Sequence, residues 1–258
     1  MELLHAEVDI GDGPTVAFLH GFTQTAASWR PVTAPLPHRA VRIDLPGHGG
    51  SGAHRGDLPA SAAMVGATIA RHSGPDGRPI LVGYSLGGRV ALRTALDHPR
   101  EVGALVLIGA TAGIDDPEER RARRAADDAL AQRLEHDGVD AFLDAWLAQP
   151  LFAGLQPSPE DLAARRANTV EGLSASLRLA GTGTMDPPWW SELGTLQIPT
   201  LVLWGEHDAK FAALGRRLVE AIPDARGAEI EGAGHAAHLQ RPDQVVAHLR
   251  DLVVRVRG

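Results

Sequence analysis

The chain has 258 residues, 44% of them hydrophobic, and a formal charge of -7 at neutral pH. That is enough apolar material for one domain with a sizeable core, and the acidic balance argues against a general nucleic-acid or anionic-membrane surface. The chain contains no cysteine, which excludes disulfides, thiolate metal sites and cysteine nucleophiles.

In chain order, the N-terminal Met1-Glu2-Leu3-Leu4-His5 lacks the basic start and long apolar core of a signal peptide. No apolar run has the length of a bilayer span, so a cytoplasmic location is expected. Strands are predicted at 15–20, 40–45, 79–84, 103–109, 200–205 and 226–231, most of them rich in Val, Ile and Leu and bounded by Gly or Pro. Helices are predicted between them at 61–72, 86–98, 209–222 and 242–254. This alternation predicts an α/β fold, a mostly parallel open sheet with helices on both faces.

From 113 to 185 the rhythm breaks. The segments 117–136, 139–146, 159–167 and 171–181 read as helices, and Asp186-Pro187-Pro188 ends the stretch. The expected organisation is a core built from 1–112 and 186–258, with 113–185 as a helical cap over the active site.

Gly83-Tyr84-Ser85-Leu86-Gly87 reads G-x-S-x-G between a predicted strand and a predicted helix. In that context it is a nucleophile elbow, with Ser85 raised at a helix N-terminus where the local field favours negative charge. The base is expected at His235, on the glycine-rich loop Glu231-Gly232-Ala233-Gly234, with His238 as competitor. The acid is expected after the strand at 200–205, where Glu206 and Asp208 are available. Asp208, in the loop opening the next helix, is preferred, although Asp is also a favoured N-cap there. The order Ser85, Asp208, His235 is that of a hydrolase triad. Backbone donors for an oxyanion are expected at Leu86 and at Phe22 of His20-Gly21-Phe22.

With H-G-F, D-L-P-G-H-G, G-Y-S-L-G-G-R, G-E-x-D and G-x-G-H, the chain resembles the α/β-hydrolase superfamily over its whole length. Most of the chain, the cap included, is similar to the 2-succinyl-6-hydroxy-2,4-cyclohexadiene-1-carboxylate synthase family of menaquinone biosynthesis. The matching pieces are Gly113 with Glu119-Arg120-Arg121-Ala122-Arg123, Trp146-Leu147-Ala148-Gln149-Pro150-Leu151-Phe152, Arg166-Ala167-Asn168 and Asp208-Ala209-Lys210-Phe211. The family often has a second Asn where this chain has Thr169.

The resemblance implies a lyase that eliminates pyruvate, with the triad moving a proton from carbon and with neither metal nor organic cofactor. It also implies a small polycarboxylate substrate. Arginine forks suit carboxylates, and Arg89, Arg123, Arg166 and Lys210, the only lysine in the chain, are the candidates. Arg165 is the alternative to Arg166. Tyr84, Trp146 and Phe152 are candidate walls. A carboxylesterase or thioesterase with Ser85 as nucleophile is the competing activity, and a non-catalytic receptor the third. A monomer or weak oligomer is expected.

Overall fold

The computed structural model describes residues 2–73 and 77–257. Strands β1 (Ala6–Asp9), β2 (Val16–Leu19), β3 (Ala40–Ile43), β4 (Ile80–Tyr84), β5 (Ala104–Ile108), β6 (Thr200–Gly205) and β7 (Ala225–Ile230) form one sheet in the order β1-β3-β2-β4-β5-β6-β7. All neighbouring pairs are parallel except β1 with β3. That antiparallel edge strand was not expected from the sequence: Ala-Glu-Val-Asp is four residues long and half-buried throughout.

The helices are α1 (Arg30–Thr33), α2 (Leu58–His72), α3 (Leu86–Asp97), α4 (Pro117–Leu147), α5 (Pro159–Arg166), α6 (Val170–Ala180), α7 (Ala209–Ala221), α8 (Ala237–Gln240) and α9 (Pro242–Arg257). Helix α2 starts three residues before its predicted start, because Asp57 caps it by accepting from the Ala60 N–H.

Successive side chains of a strand point to opposite faces, and the core divides accordingly. Ala17, Leu19, Leu81, Leu105 and Leu107 face one layer with α2, α3 and α7. Val16, Phe18, Ile80, Val82, Val106 and Ile108 face the other with α1, α8 and α9. Each of the Val, Leu, Ile and Phe side chains contributes roughly 1.5–3 kcal/mol by leaving water.

The chain between β5 and β6 carries α4, α5 and α6 and has a small core of its own, in which Ala131, Leu134 and Phe142 of α4 meet Leu173 and Leu177 of α6. Helix α4 is broken at Gly138, whose φ of 77° and ψ of 171° are not helical. The break falls between the two segments read separately from the sequence.

Candidate active site

Ser85 is the single residue between β4 and α3. Its φ of 51° and ψ of -106° lie in a region that non-glycine residues rarely occupy. Close packing on both sides holds it there. A Cβ on Gly83 would lie 2.3 Å from the Gly87 carbonyl oxygen, and one on Gly87 would lie 2.2 Å from that of Leu19. Only glycine at both positions lets β4, the turn and α3 approach β2 so closely.

His235, on the loop after β7, brings its Nε2 to 3.2 Å from Ser85 Oγ. Its Nδ1 lies 2.7 Å from Asp208 Oδ2. Asp208 sits between β6 and α7 and also caps α7, its Oδ1 accepting from the Phe211 N–H at 3.2 Å. The two sequence readings of Asp208, triad acid and N-cap, describe different oxygens of one carboxylate. The His235 ring is enclosed by Phe211 at 4.3 Å and Tyr84 at 5.2 Å between centroids. Glu206 instead accepts from the Gly232 N–H.

His238 takes no part in the triad. It is fully buried between Tyr84 and Trp29, and its Nε2 meets the Gln24 amide at 3.3 Å. Burial, then Arg165, holds its pKa well below the usual histidine range.

Ser85 and His235 open into a cavity of about 310 Å³ between the sheet and the helical insert. Phe22, Leu86, Tyr84, Arg89, Arg123, Trp146, Phe152 and Lys210 all line it. Leu86 is the first residue of α3, so its N–H has no partner within the helix. Burial pushes the Tyr84 phenol up, and it stays protonated.

Arg89, one turn into α3, is buried and donates from Nη1 to the Ala180 carbonyl at 2.6 Å. That carbonyl ends α6, where the helix dipole favours a cation. Burial and then the nearby Arg123 lower the Arg89 pKa to about 9, so the group is charged at neutral pH. Arg123 on α4 donates from Nε to both oxygens of Asp127, at 2.9 and 3.0 Å.

Asp127 is only 1% exposed and lines the same cavity, and the sequence reading missed it. Its signal was the spacing, since a residue four along from Arg123 shares its helix face. Burial raises its pKa against the opposing pull of Arg123. Lys210 forms no ion pair among the described residues and lies 5.8 Å from the Phe211 ring.

Trp146 and Phe152 form an aromatic wall with Phe22, Trp146 lying 5.1 Å from Phe22 and 5.7 Å from Phe152. Arg166 is not part of it. Its side chain is 48% exposed and pairs with Asp144 and Asp140 on the outside of the insert. Arg165 is the buried member of the pair, but it too stays out of the cavity and is bonded to Asp161 and Thr23. The adjacent arginines point to opposite sides of α5, and the insert's own acids claim both.

Among the described residues, no helix is long and apolar enough to cross a membrane. None of their His, Asp and Glu side chains form a group of three or more placed to hold a metal ion.

Residues 16–248 match the model of the alpha/beta hydrolase family. The 2-succinyl-6-hydroxy-2,4-cyclohexadiene-1-carboxylate synthase of Enterobacter sp. (strain 638) is 34% identical over 245 residues, covering 93% of this chain and 92% of that protein. Its namesake from Salmonella enteritidis is 34% identical over 97% of this chain and 99% of its own length. Among solved structures, MenH from S. aureus superposes with a TM-score of 0.91 at 26% identity, covering 98% of this chain and 99% of the other. A thermophilic esterase from Thermogutta terrifontis, solved with malate bound, has a TM-score of 0.83 at 26% identity, over 99% of this chain and 94% of its own. The chain therefore belongs to the alpha/beta hydrolase family, on the branch that holds the 2-succinyl-6-hydroxy-2,4-cyclohexadiene-1-carboxylate synthases.

Proposed function

We propose that the protein is a lyase that eliminates pyruvate from 2-succinyl-5-enolpyruvyl-6-hydroxy-3-cyclohexene-1-carboxylate, giving 2-succinyl-6-hydroxy-2,4-cyclohexadiene-1-carboxylate. The observation that carries this reading is the presence of Arg89, Arg123 and Lys210 in the same cavity as Ser85 and His235. Asp127 offsets one of these three cations, leaving a net positive pocket for a substrate with three carboxylates. The Enterobacter and Salmonella relatives carry the matching name.

In this mechanism Ser85, with His235 as its base, takes a proton from ring carbon. Asp208 holds the His235 ring in place and stabilises its charged form. The electron pair of the broken C–H bond forms a new ring double bond, the existing double bond shifts onto the carbon that bears the enolpyruvyl group, and the C–O bond to that group breaks. The leaving enolpyruvate takes up a proton and becomes pyruvate. Negative charge that develops on the substrate is met by the Phe22 and Leu86 N–H groups. Arg89 and Arg123 bind carboxylates, and the Trp146–Phe152 wall packs on the ring.

The triad geometry serves an esterase equally well, so the test must separate the two. Pyruvate release is measured with the cyclohexene substrate, alongside hydrolysis of a neutral ester. The lyase reading expects rapid pyruvate release with no acyl group on Ser85 in the mass spectrum. It also expects Arg89→Met to impair pyruvate release far more than ester hydrolysis. Stoichiometric acyl-Ser85 during turnover, or equal losses on both substrates, would favour the esterase.

A further inference from the structure

Thr23 follows the Phe22 oxyanion candidate and has φ of 67°. For a β-branched side chain that is a rare and unfavourable backbone conformation, and the residue is fully buried. Two residues at the end of α5 hold it. Arg165 Nη1 donates to Thr23 Oγ1 at 2.7 Å, and Asn168 Nδ2 donates to the Thr23 carbonyl at 2.8 Å.

Both holders are themselves fixed. Arg165 Nε donates to Asp161 Oδ2 at 2.6 Å, and Asp161 Oδ1 accepts from Ser28 Oγ at 2.5 Å. Asn168 Oδ1 accepts from the Gly49 N–H at 2.8 Å. The opposite side of the same turn is tied to the core alone. The Gly21 N–H donates to Gln24 Oε1 at 2.9 Å, and the Gln24 amide donates to His238 Nε2. His20 Nδ1–H donates to the Gly21 carbonyl.

A buried ion pair such as Asp161–Arg165 adds little net stability over apolar residues of the same volume. What Arg165 supplies and an apolar side chain does not is a donor to Thr23.

We propose that Arg165 and Asn168 are positioning residues, which hold Thr23 in its left-handed conformation and so aim the Phe22 N–H at the substrate oxygen beside Ser85. The inference rests on the reading of Phe22 as an oxyanion donor. It also ties the catalytic turn to the docking of the helical insert, because both holders belong to that insert. The oxyanion site is complete only while α5 is seated.

The test is Asn168→Ala, read by pyruvate release and by amide hydrogen exchange. The proposal expects faster exchange at residues 22–24 with β4 unchanged, and kcat lowered about tenfold or more with KM within about twofold, as for a misplaced transition-state donor. Adding Thr23→Gly to Asn168→Ala should return several-fold of kcat, because glycine adopts this conformation without strain. A purely structural role predicts no such rescue.

Thr23→Val, which keeps the shape and removes the Oγ1 acceptor, is an independent arm and should also lower kcat. Unchanged exchange at residues 22–24, or no rescue by glycine, overturns the proposal. Faster exchange with unchanged kcat overturns Phe22 as donor and the positioning role with it. If wild type releases no pyruvate, the functional reading fails by itself, and exchange at residues 22–24 still decides whether the clamp exists.

Discussion

Asp208 Oδ2 lies 2.7 Å from His235 Nδ1 while the other oxygen of the same carboxylate caps α7. Asn is as good an N-cap as Asp, but its amide does not stabilise a charged imidazole. Asp208→Asn should therefore lower kcat by roughly 10³–10⁴ while thermal stability stays close to wild type. Asp208→Ala loses the cap as well and should unfold at a lower temperature. Pyruvate-release kinetics and thermal melts of both variants check this.

Arg89 joins the catalytic elbow helix to the last carbonyl of α6 and also faces the cavity. Replacing it with Met removes a charge-assisted contact worth about 1.5–3 kcal/mol, so KM for the tricarboxylate should rise about 10- to 100-fold. KM of wild type and Arg89→Met for the tricarboxylate is the measurement, and a neutral ester should show no such difference.

His20, His48 and His238 are fully buried, and burial is the leading cause of the lowered pKa of each, that of His48 to about 3. The unfolded chain protonates them near 6.5, whereas the folded chain resists. Between those values the unfolded state binds more protons, so stability falls as pH drops below 6.5. Each histidine contributes up to about 1.4 kcal/mol per pH unit. The loss should be visible in unfolding midpoints from pH 7 to pH 4, and His48→Asn should make that slope shallower by about one proton.

Gly87→Ala would put a methyl group 2.2 Å from the Leu19 carbonyl oxygen. That oxygen belongs to the sheet backbone, not to a flexible side-chain end, so neither partner yields cheaply. The variant should lose about 3 kcal/mol or more of stability along with its activity. A denaturant titration against wild type is the measurement.

The parts of this molecule that were legible in the sequence are those where local chemistry and global fold demand the same residue. Gly83, Ser85 and Gly87 are required by the turn itself, and the central strands are apolar because both their faces are covered. The helical insert was harder to read. Arg165 and Arg166 are adjacent and identical in type. Which of them turns inward is decided by Asp161, Asp140 and Asp144, whose positions depend on how α4 and α5 pack. Asp127 looked like one acid among several on a charged helix until α6 covered it. Thr23 carried no signal, because its conformation is imposed by partners more than 140 residues away in sequence.

The break at Gly138 divides the wall of the cavity into two rods. Arg123 and Asp127 ride on the first, Trp146 on the second. The Arg123–Asp127 ion pair and the Trp146 ring therefore sit on separate rods that meet at one joint, and a Cβ at that joint would meet nothing within 4 Å. A change in the joint's angle would alter the distance between the ion pair and the aromatic wall without altering either. That gives this architecture a simple route to a cavity of different length around the same serine.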